Sequence, residues 1–286
     1  MEHAITQELA EIFPGGVQWF PGHMAKTKRE LSQLLKLVNV VIEVADARAP
    51  YSTRQRDLPS LTKGKKRILV LSKSDLADAG NNTRWLNALR QSGQQVFMVD
   101  ATRRVGISAL LRHLGKTKGV RALVAGVPNT GKSTLINSAC RRAATRTGAI
   151  PGITRNVQWL QAAPGVEFLD SPGLLWPKID DLLQGLKLIW IGSIGANAYP
   201  PLEAGLALAL YLNHFYPDML TGRYGSMVAN SKPHAVLETI GRQRGALAAG
   251  GVVDLNQAAT ILLTEMRQGR LGRITLDEPP GKAVIL

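Results

Sequence analysis

Four long apolar runs in the first half of the chain alternate with segments in which apolar and polar residues are mixed. The runs are VNVVIEVADA at 38–47, RILVLSKSDL at 67–76, QQVFMVDA at 94–101 and VRALVAGVP at 120–128. Continuous apolar runs of this kind are typical of parallel strands buried on both faces. Because helix-compatible segments separate them, the pattern predicts a doubly wound α/β sheet, whose ligands bind beyond the carboxyl ends of the strands.

Two further runs extend this sheet before the pattern changes. VEFLDSPG at 166–173 predicts another strand, and NVQWLQA at 156–162 predicts its antiparallel neighbour. Further on, apolar residues recur at helical spacing between Pro and Gly residues, and the tail GRITLDEP at 272–279 allows a short extended piece. We therefore expect an α/β domain over residues 1–178 and a helical domain over residues 179–286.

The composition permits two cores and gives no sign of export. The chain has 286 residues, 45% of them apolar, and its single cysteine, Cys140, excludes an internal disulfide framework. We expect Cys140 to be a buried small apolar residue. The first residues lack the apolar core of a secretory signal, and no segment reaches the ~20 apolar residues that span a bilayer. These features predict a cytoplasmic protein without a membrane span.

Positive charge is concentrated in the front half of the chain. Residues 1–121 hold 20 basic and 10 acidic side chains (+10), whereas residues 122–286 hold 15 and 11 (+4). A front half this basic favours a polyanionic partner such as RNA, because each neutralised phosphate releases condensed counterions. A basic surface that only keeps the protein soluble is the alternative.

A phosphate-binding motif follows the fourth run directly. Gly126, Gly131, Lys132 and Ser133 form the pattern G-x-x-x-x-G-K-S between a predicted strand and a helix-compatible segment. In this context the backbone N–H groups cradle phosphates, the lysine reaches the β- and γ-phosphates, and the serine hydroxyl binds Mg²⁺. The pattern therefore predicts a nucleoside triphosphate site.

Two segments downstream supply candidates for the γ-phosphate and the metal. In LDSPG, after a predicted strand, Asp170 could reach the magnesium shell and Gly173 could offer its N–H to a γ-phosphate. Thr154 lies in a connection punctuated by Gly and Pro, where a threonine can complete magnesium coordination in the triphosphate state. An ordinary turn is the alternative for each segment taken alone.

LSKSDL at 71–76 has the pattern of a guanine-reading box at the end of a strand. Asp75 can accept from both N1–H and N2–H₂ of guanine, a donor pair that adenine lacks, and the stem of Lys73 can lie across the ring. A charged turn is the alternative. Downstream, VDAT at 99–102 lies where a backbone N–H could meet the base carbonyl. In an ordinary GTPase the phosphate loop precedes the base box, so the order here is reversed.

This order of motifs resembles that of circularly permuted GTPases. QWFPGHM at 18–24, VADARAP at 44–50, GVPNTGKSTLIN at 126–137, PGITR at 151–155 and DSPGLLWPK at 170–178 are similar to ribosome biogenesis GTPase A, the YlqF type. The similarity spans nearly the whole chain. It implies a P-loop NTPase fold in which the closed ring of strands and loops is cut at another place and the assembled site is kept.

The resemblance also implies a function, which is GTP hydrolysis late in the assembly of the large ribosomal subunit, stimulated by that particle. The implied ligands are GTP or GDP with Mg²⁺. Potassium is left open, because Asn129 matches an asparagine that helps hold a monovalent ion in potassium-dependent relatives. The implied partners are rRNA and ribosomal proteins, and we expect a monomer that binds no membrane.

Individual site residues follow from the same resemblance. The residues implied to read guanine or lie near the base are Ser72, Lys73, Ser74, Asp75, Asp100 and Ala101. Those implied to hold phosphates are Asn129, Thr130, Gly131, Lys132, Ser133, Thr134 and Gly173. The implied metal ligands are Ser133, Thr154 and Asp170, and the implied catalytic residues are His23, Lys132 and Thr154.

The chain departs from common GTPase patterns at two positions. The base box of the family usually begins with Asn, whereas Ser72 has a shorter side chain, so nucleotide affinity is in question more than the choice of guanine. Leu174 stands where Ras-like enzymes place the water-orienting glutamine, and the resemblance suggests that His23 takes this role. Two alternatives remain at this point: an ATP-dependent enzyme on the same loop, and an RNA-binding assembly factor with little hydrolysis.

Overall fold

A computed structural model describes residues 2–17, 31–140, 146–149, 158–170, 179 and 181–279. The chain divides into two compact units, one of residues 21–177 with 275–286 and the other of residues 1–20 with 178–274. The first is an α/β unit and the second is helical.

The α/β unit contains a seven-stranded sheet. Its strands are β1 Val40–Asp46, β2 Lys66–Ser72, β3 Val96–Val99, β4 Val120–Ala125, β5 Arg146–Ala149, β6 Gln158–Ala163 and β7 Val166–Asp170. Across the sheet they follow the order β3-β2-β1-β4-β7-β6-β5. The pairs among β1, β2, β3, β4 and β7 are parallel, whereas β6 runs antiparallel to β5 and β7. The predicted α/β fold and the antiparallel strand beside β7 are confirmed.

Helices cover the sheet and build the second unit. The α-helices are α1 Glu2–Ile12, α2 Leu58–Leu61, α3 Ala79–Gln91, α4 Ile107–Leu114, α5 Lys132–Cys140, α6 Leu182–Trp190, α7 Pro201–Phe215, α8 Pro217–Tyr224, α9 Pro233–Arg244 and α10 Leu255–Arg267. None of the helices in the described ranges is both long and apolar enough to cross a bilayer.

Both faces of β1 are buried, which explains why its sequence is apolar except for Glu43 and Asp46. Ile42 and Val44 face a core shared with α4 and α5. Val41 packs toward helical residues 31–35, and Ala45 packs toward α3. Cys140 lies at the end of α5 at 8% exposure, and burial raises the pKa of its thiol to about 11. Its predicted role as a buried apolar residue is confirmed.

In the helical unit, α7 packs against α1, α6, α9 and α10. Gly205 permits the approach of α10, because a Cβ at this position would lie 2.4 Å from the Cβ of Ala259. The helix α1, which the sequence analysis did not predict, contributes Ile5, Leu9 and Phe13 to this unit at helical spacing. The beginning of the chain therefore belongs with the helices, not with the sheet.

The end of the chain belongs to the α/β unit, although the sequence predicted it to be part of the helical domain. Within the α/β unit, the Asp277 carboxylate accepts from the backbone N–H groups of Tyr51 at 2.9 Å and Ser52 at 2.7 Å. The Asp277 carbonyl accepts from Trp85 Nε1 at 3.0 Å. The tail at 272–279 joins no strand of the sheet. The units thus differ from the predicted domains at both chain ends, and the predicted division into domains of residues 1–178 and 179–286 stays a prediction.

Candidate nucleotide site

The carboxyl ends of the five parallel strands bring the predicted motifs to one edge of the sheet. β2 ends at Ser72, which opens the base box, and β3 ends immediately before Asp100. β4 ends immediately before Gly126 of the phosphate loop, and β7 ends at Asp170. Strand order, not chain order, therefore assembles the site, as in other doubly wound sheets.

The backbone of the phosphate loop includes positive-φ conformations, which favour glycine and are uncommon for most other residues. Gly126 has φ +155°, and a Cβ there would lie 2.3 Å from the carbonyl oxygen of Val44. Asn129 also has positive φ, at +60°. The loop leads into α5, whose first residue is Lys132. Because the first N–H groups of a helix lack intrahelical acceptors, this terminus is suited to bind phosphate.

Lys132 is folded onto its own loop. Its Nζ donates to the carbonyl oxygen of Val127 at 2.8 Å, and the residue is 8% exposed. Burial lowers the pKa of Lys132 to about 8; the negative charge of Asp170 opposes this shift, and the positive charge of Lys73 adds to it. An anion placed at the loop would restore the ammonium form, because it supplies the counter-charge that burial removes.

The pair of predicted metal ligands meets across two elements. Ser133 Oγ, on α5, donates to Asp170 Oδ2, at the end of β7, over 3.4 Å. A hydroxyl and a carboxylate oxygen are the donors that a hard divalent cation such as Mg²⁺ prefers. Thr134, next along α5, is exposed. The predicted residues His23, Thr154 and Gly173 lie outside the described residues.

The base box touches the phosphate loop directly. Ser72 Oγ lies 3.0 Å from the carbonyl oxygen of Ala45 and within hydrogen-bond distance of the carbonyl oxygen of Thr130. Lys73 Nζ donates to the carbonyl oxygen of Asn129 at 2.6 Å. The serine hydroxyl thus spans the gap between β1 and the phosphate loop, although it is shorter than an asparagine side chain.

Two residues for which the sequence predicted no role, Asp46 and Arg48, complete this connection. Asp46 Oδ2 accepts from Lys73 Nζ at 2.8 Å and from Arg48 Nη2 at 2.8 Å, and Arg48 Nε donates to Asp46 Oδ1 at 2.9 Å. Burial would raise the pKa of Asp46, but the charges and hydrogen bonds of Arg48 and Lys73 hold it well below its usual range. The signal was present in DARAP, whose charged residues sit at a strand end.

Arg48 of this pair is also close enough to Asp75 of the base box for their charges to interact. Burial lowers the pKa of Arg48, but Asp46 and, more weakly, the charge of Asp75 raise it above its ordinary value. Lys73 has φ +54°, a left-handed conformation that costs a non-glycine residue about 1 kcal/mol. The ion pair with Asp46 offsets this cost, because a hydrogen bond to a charged group contributes about 1.5–3 kcal/mol.

The predicted base loop after β3 is closed by its own residues. Asp100 N–H donates to the carbonyl oxygen of Val105 at 3.1 Å, and Asp100 Oδ1 accepts from the N–H of Arg103 at 2.9 Å. Ala101 lies at the start of this loop and is partly exposed. Ser74 N–H donates to the carbonyl oxygen of Val99 at 3.2 Å, so the base box and this loop are neighbours.

Comparison with known proteins gives the same picture. Residues 121–191 match the family described as 50S ribosome-binding GTPase. Ribosome biogenesis GTPase A of Bacillus cereus is 36% identical to this chain over 92% of the chain and 94% of the relative. The protein of the same name from Thermotoga maritima is 35% identical, over 92% of the chain and 95% of the relative.

Two solved structures share the fold. A GDP-bound structure of TM YlqF matches with a TM-score of 0.70 and 30% identity, covering 88% of this chain and 99% of that one. A GNP-bound YlqF from T. maritima matches with a TM-score of 0.67 and 31% identity, over 89% and 98%. With the reversed motifs joined at one sheet edge, these similarities show that the chain is a GTPase of the ribosome biogenesis GTPase A family.

Proposed function

We propose that this protein hydrolyses GTP as an assembly switch in the late maturation of the large ribosomal subunit. The observation that carries the proposal is the 2.6 Å hydrogen bond from Lys73 Nζ to the Asn129 carbonyl. This bond joins a residue of the guanine-type box to a residue of the phosphate loop 56 positions further along the chain, which supports the proposal. A site that joins both elements can bind base and phosphates of one nucleotide.

The nucleotide would lie across this junction. Asp75 would accept from the guanine N1–H and N2–H₂, while Ser72, Lys73 and Ser74 shape the pocket and Asp100 and Ala101 border the base. The residues that would hold the phosphates are Asn129, Thr130, Gly131, Lys132, Ser133, Thr134 and Gly173. Lys132 would move from the Val127 carbonyl to the phosphates, because an anion is a better acceptor for an ammonium than a carbonyl.

Magnesium fits the oxygen donors that the site supplies. Ser133 and Asp170 would hold it, with Thr154 completing the set in the triphosphate state. When bound, Mg²⁺ neutralises charge that develops on the phosphate oxygens. Potassium near Asn129 is part of the proposal as an activator. It is tested by comparing turnover in KCl and NaCl at equal ionic strength, where equal rates would remove it.

His23 would orient the attacking water, since Leu174 has no polar atom with which to do so. His23→Ala should leave GTP affinity nearly unchanged and lower the subunit-stimulated kcat by about 10²-fold, as expected of an interaction made in the transition state. Intrinsic turnover should fall much less. A stimulated rate within about threefold of wild type, with subunit binding intact, would make His23 a structural residue.

Guanine choice is tested separately from the partner. Excess ATP should fail to displace labelled GDP from the wild type, and Asp75→Asn should shift the preference toward xanthine nucleotides, because its amide reverses one acceptor into a donor. Displacement by ATP as efficient as by GTP would reject the base-box assignment.

The partner would be the large subunit, met in the cytoplasm by a monomer. The family name and the charge of the front half support this partner. Sedimentation of the protein with 50S, 30S and 70S particles, in a non-hydrolysable GTP analogue or in GDP, tests it directly. We expect co-sedimentation with 50S particles in the triphosphate state. Binding to 30S particles alone, or to none, would contradict the proposal.

A further inference from the structure

Basic side chains crowd the amino-terminal edge of the sheet, at the opposite ends of the strands from the nucleotide site. They come from the loop before β1, the loop entering β2 and the loop entering β4. The exposed members in these loops and strand starts are Lys36, Lys63, Lys66, Arg67, Lys116, Lys118 and Arg121. We call this set the amino edge.

Strand pairing places these loops side by side. β1 lies between β2 and β4, with Val40 paired to both Lys66 and Ala122. The loop before β1 is tied to both neighbours: Lys65 Nζ donates to the Val38 carbonyl at 2.8 Å, and Asn39 Nδ2 donates to the Gly119 carbonyl at 2.9 Å. Because neighbouring strands are about 4.8 Å apart, the three loops lie within roughly 10 Å.

Negative charge does not balance this edge. Glu167 is the one acidic residue that pairs with the set among the described residues, and it takes Arg121 at 3.1 Å. Lys63, Lys66, Lys116 and Lys118 form no ion pair within the described part of the chain. Arg90 and Arg112 also lie nearby, but each is in the last turn of a helix, where the helix dipole already explains a cation.

The pKa of His113 responds to the positive charge of this edge. It lies at the end of α4, with its ring 5.4 Å from that of Phe97. Burial lowers the pKa of His113, and the positive charges of Lys66 and Lys116 lower it further. Lysines from two different loops therefore lie close enough to His113 to affect the same side chain.

We propose that the amino edge binds the phosphate backbone of RNA and is the surface through which the protein contacts the RNA of its particle. The inference rests on the proposed function, since the RNA would be ribosomal. Seven-residue strands such as β1 are about 20 Å long, so RNA at this edge leaves the nucleotide site open. A membrane surface is less suited, because interfacial binding needs buried apolar anchors and Leu37 is the one large apolar side chain exposed beside these lysines in the described segments.

Variants that replace exposed lysines of the amino edge by glutamine test whether this edge binds RNA. One variant carries Lys63→Gln with Lys66→Gln, a second carries Lys116→Gln with Lys118→Gln, and a third combines all four. The matched control, Arg56→Gln with Arg84→Gln, removes two exposed charges of the same unit that do not belong to the amino edge. Binding to large subunits and to protein-free rRNA is measured from ~50 to ~200 mM salt.

Wild-type binding should weaken by orders of magnitude across this range, and each pair variant should weaken about tenfold less, because two phosphate contacts change the salt slope by about 1.8. The quadruple variant should weaken about 100-fold less. The control should keep the wild-type slope, and intrinsic GTP turnover should be unchanged in every variant. All slopes are measured in the non-hydrolysable GTP analogue.

Three outcomes would overturn the inference. Wild-type slopes in the quadruple variant would show that RNA contacts other surfaces, and equal losses in the control would show that net charge alone matters. Binding of the wild type to vesicles of phosphatidylglycerol and phosphatidylcholine, lost in the quadruple variant while rRNA binding is kept, would assign the edge to a membrane. In each case stimulated GTP hydrolysis can persist. Failure of the wild type itself to bind any particle would instead contradict the proposed function.

Discussion

In each unit of the molecule a buried carboxylate lies between two cationic side chains, and the other contacts of those cations differ. In the α/β unit, Asp46 at 1% exposure is held by Arg48 and Lys73. In the helical unit, Glu265 at 4% exposure is held by Arg223 and Arg244. The charges are matched in number, but the surroundings of the cations are not.

The cluster around Glu265 is confined to three helices. Arg223 donates to both carboxylate oxygens at 2.7 Å, and the Tyr224 hydroxyl donates at 2.8 Å. The bond to Arg223, despite the cost of burial, holds the pKa of Glu265 below its ordinary value. Among the described residues, its partners lie on α8 and α9, so the cluster ties α10 to its neighbours.

The cluster around Asp46 extends beyond its own element. Lys73 is shared between the buried carboxylate and the carbonyl of Asn129 in the phosphate loop. A change at Asp46 therefore reaches both the base box and the phosphate loop. Burial and pairing alone therefore do not distinguish the two clusters; the contact from Lys73 to the phosphate loop does.

The largest effect that separates the two units should come from removing Lys132, the buried lysine of the phosphate loop. Lys132→Ala should lower GTP turnover by at least ~100-fold, because it removes a cation that stabilises transition-state charge. Lys232→Ala, which truncates an exposed lysine of the helical unit, should leave turnover within about twofold of wild type. Near-normal turnover of Lys132→Ala would move the chemistry out of the α/β unit.

The next largest effect should come from Asp46→Asn. Removing one partner of a buried ion pair costs about 3–5 kcal/mol of unfolding free energy. Here Lys73 also loses its charged acceptor, so GDP affinity of the folded variant should fall at least ~10-fold. Titration with a fluorescent GDP analogue measures this. Unchanged affinity in a folded Asp46→Asn protein would reduce Asp46 to a structural residue like Glu265.

Glu265→Gln should destabilise without touching the nucleotide. Because the side chains of Arg223 and Arg244 are 30% and 32% exposed, water recovers part of the lost pairing, and we expect a loss of about 2 kcal/mol. Thermal unfolding gives this value, while the GDP titration should stay within about twofold of wild type. A large drop in GDP affinity would erase the contrast between the two clusters.

The smallest expected effect is a proton taken up with the nucleotide. The pKa of Lys132 is lowered to about 8 by burial, so the free protein holds it largely neutral near pH ~9. Bound phosphates favour the ammonium and raise this pKa again, so binding should take up close to one proton near that pH and weaken as pH rises from about 8 to 10. Calorimetry in two buffers of different ionisation enthalpy measures the uptake, which Lys132→Met should abolish.

The lowered pKa of Lys132 also determines how its contribution to stability changes with pH. The unfolded chain binds more protons than the folded one between about pH 8 and the ordinary pKa of 10.5, since the folded pKa is the lower. The contribution of Lys132 to unfolding free energy therefore rises with pH across this window. Below about pH 8 both states hold the proton and the cost of burying the ammonium is fully present.

The central strands of the sheet were predictable because β1, β2 and β4 are buried over most of their length and are therefore mostly apolar in sequence. The phosphate loop was predictable because its backbone demands glycine at fixed spacing. The contact of Asp277 with Ser52 was not, since it joins residues 225 positions apart and leaves no local pattern. The helix α1 carried a usable signal in the spacing of Ile5, Leu9 and Phe13, but spacing cannot say which unit buries the apolar face.

The role of Asp46 lay between these cases. DARAP was visible as a motif that the resemblance singled out, but only the pairing of β1 with β2 brings Asp46 opposite Ser72 and next to Lys73. The predicted roles of His23, Thr154 and Gly173 fall outside the described residues and stay predictions.

The most direct test of the account is GTP turnover measured with and without purified large ribosomal subunits. We predict slow turnover by the protein alone and stimulation of at least ~10-fold by large subunits, with no stimulation by small subunits and none in Lys132→Ala. The same rate with and without large subunits, under salt conditions in which the protein binds them, would contradict the assembly-switch account and leave an RNA-binding factor that holds guanine nucleotide.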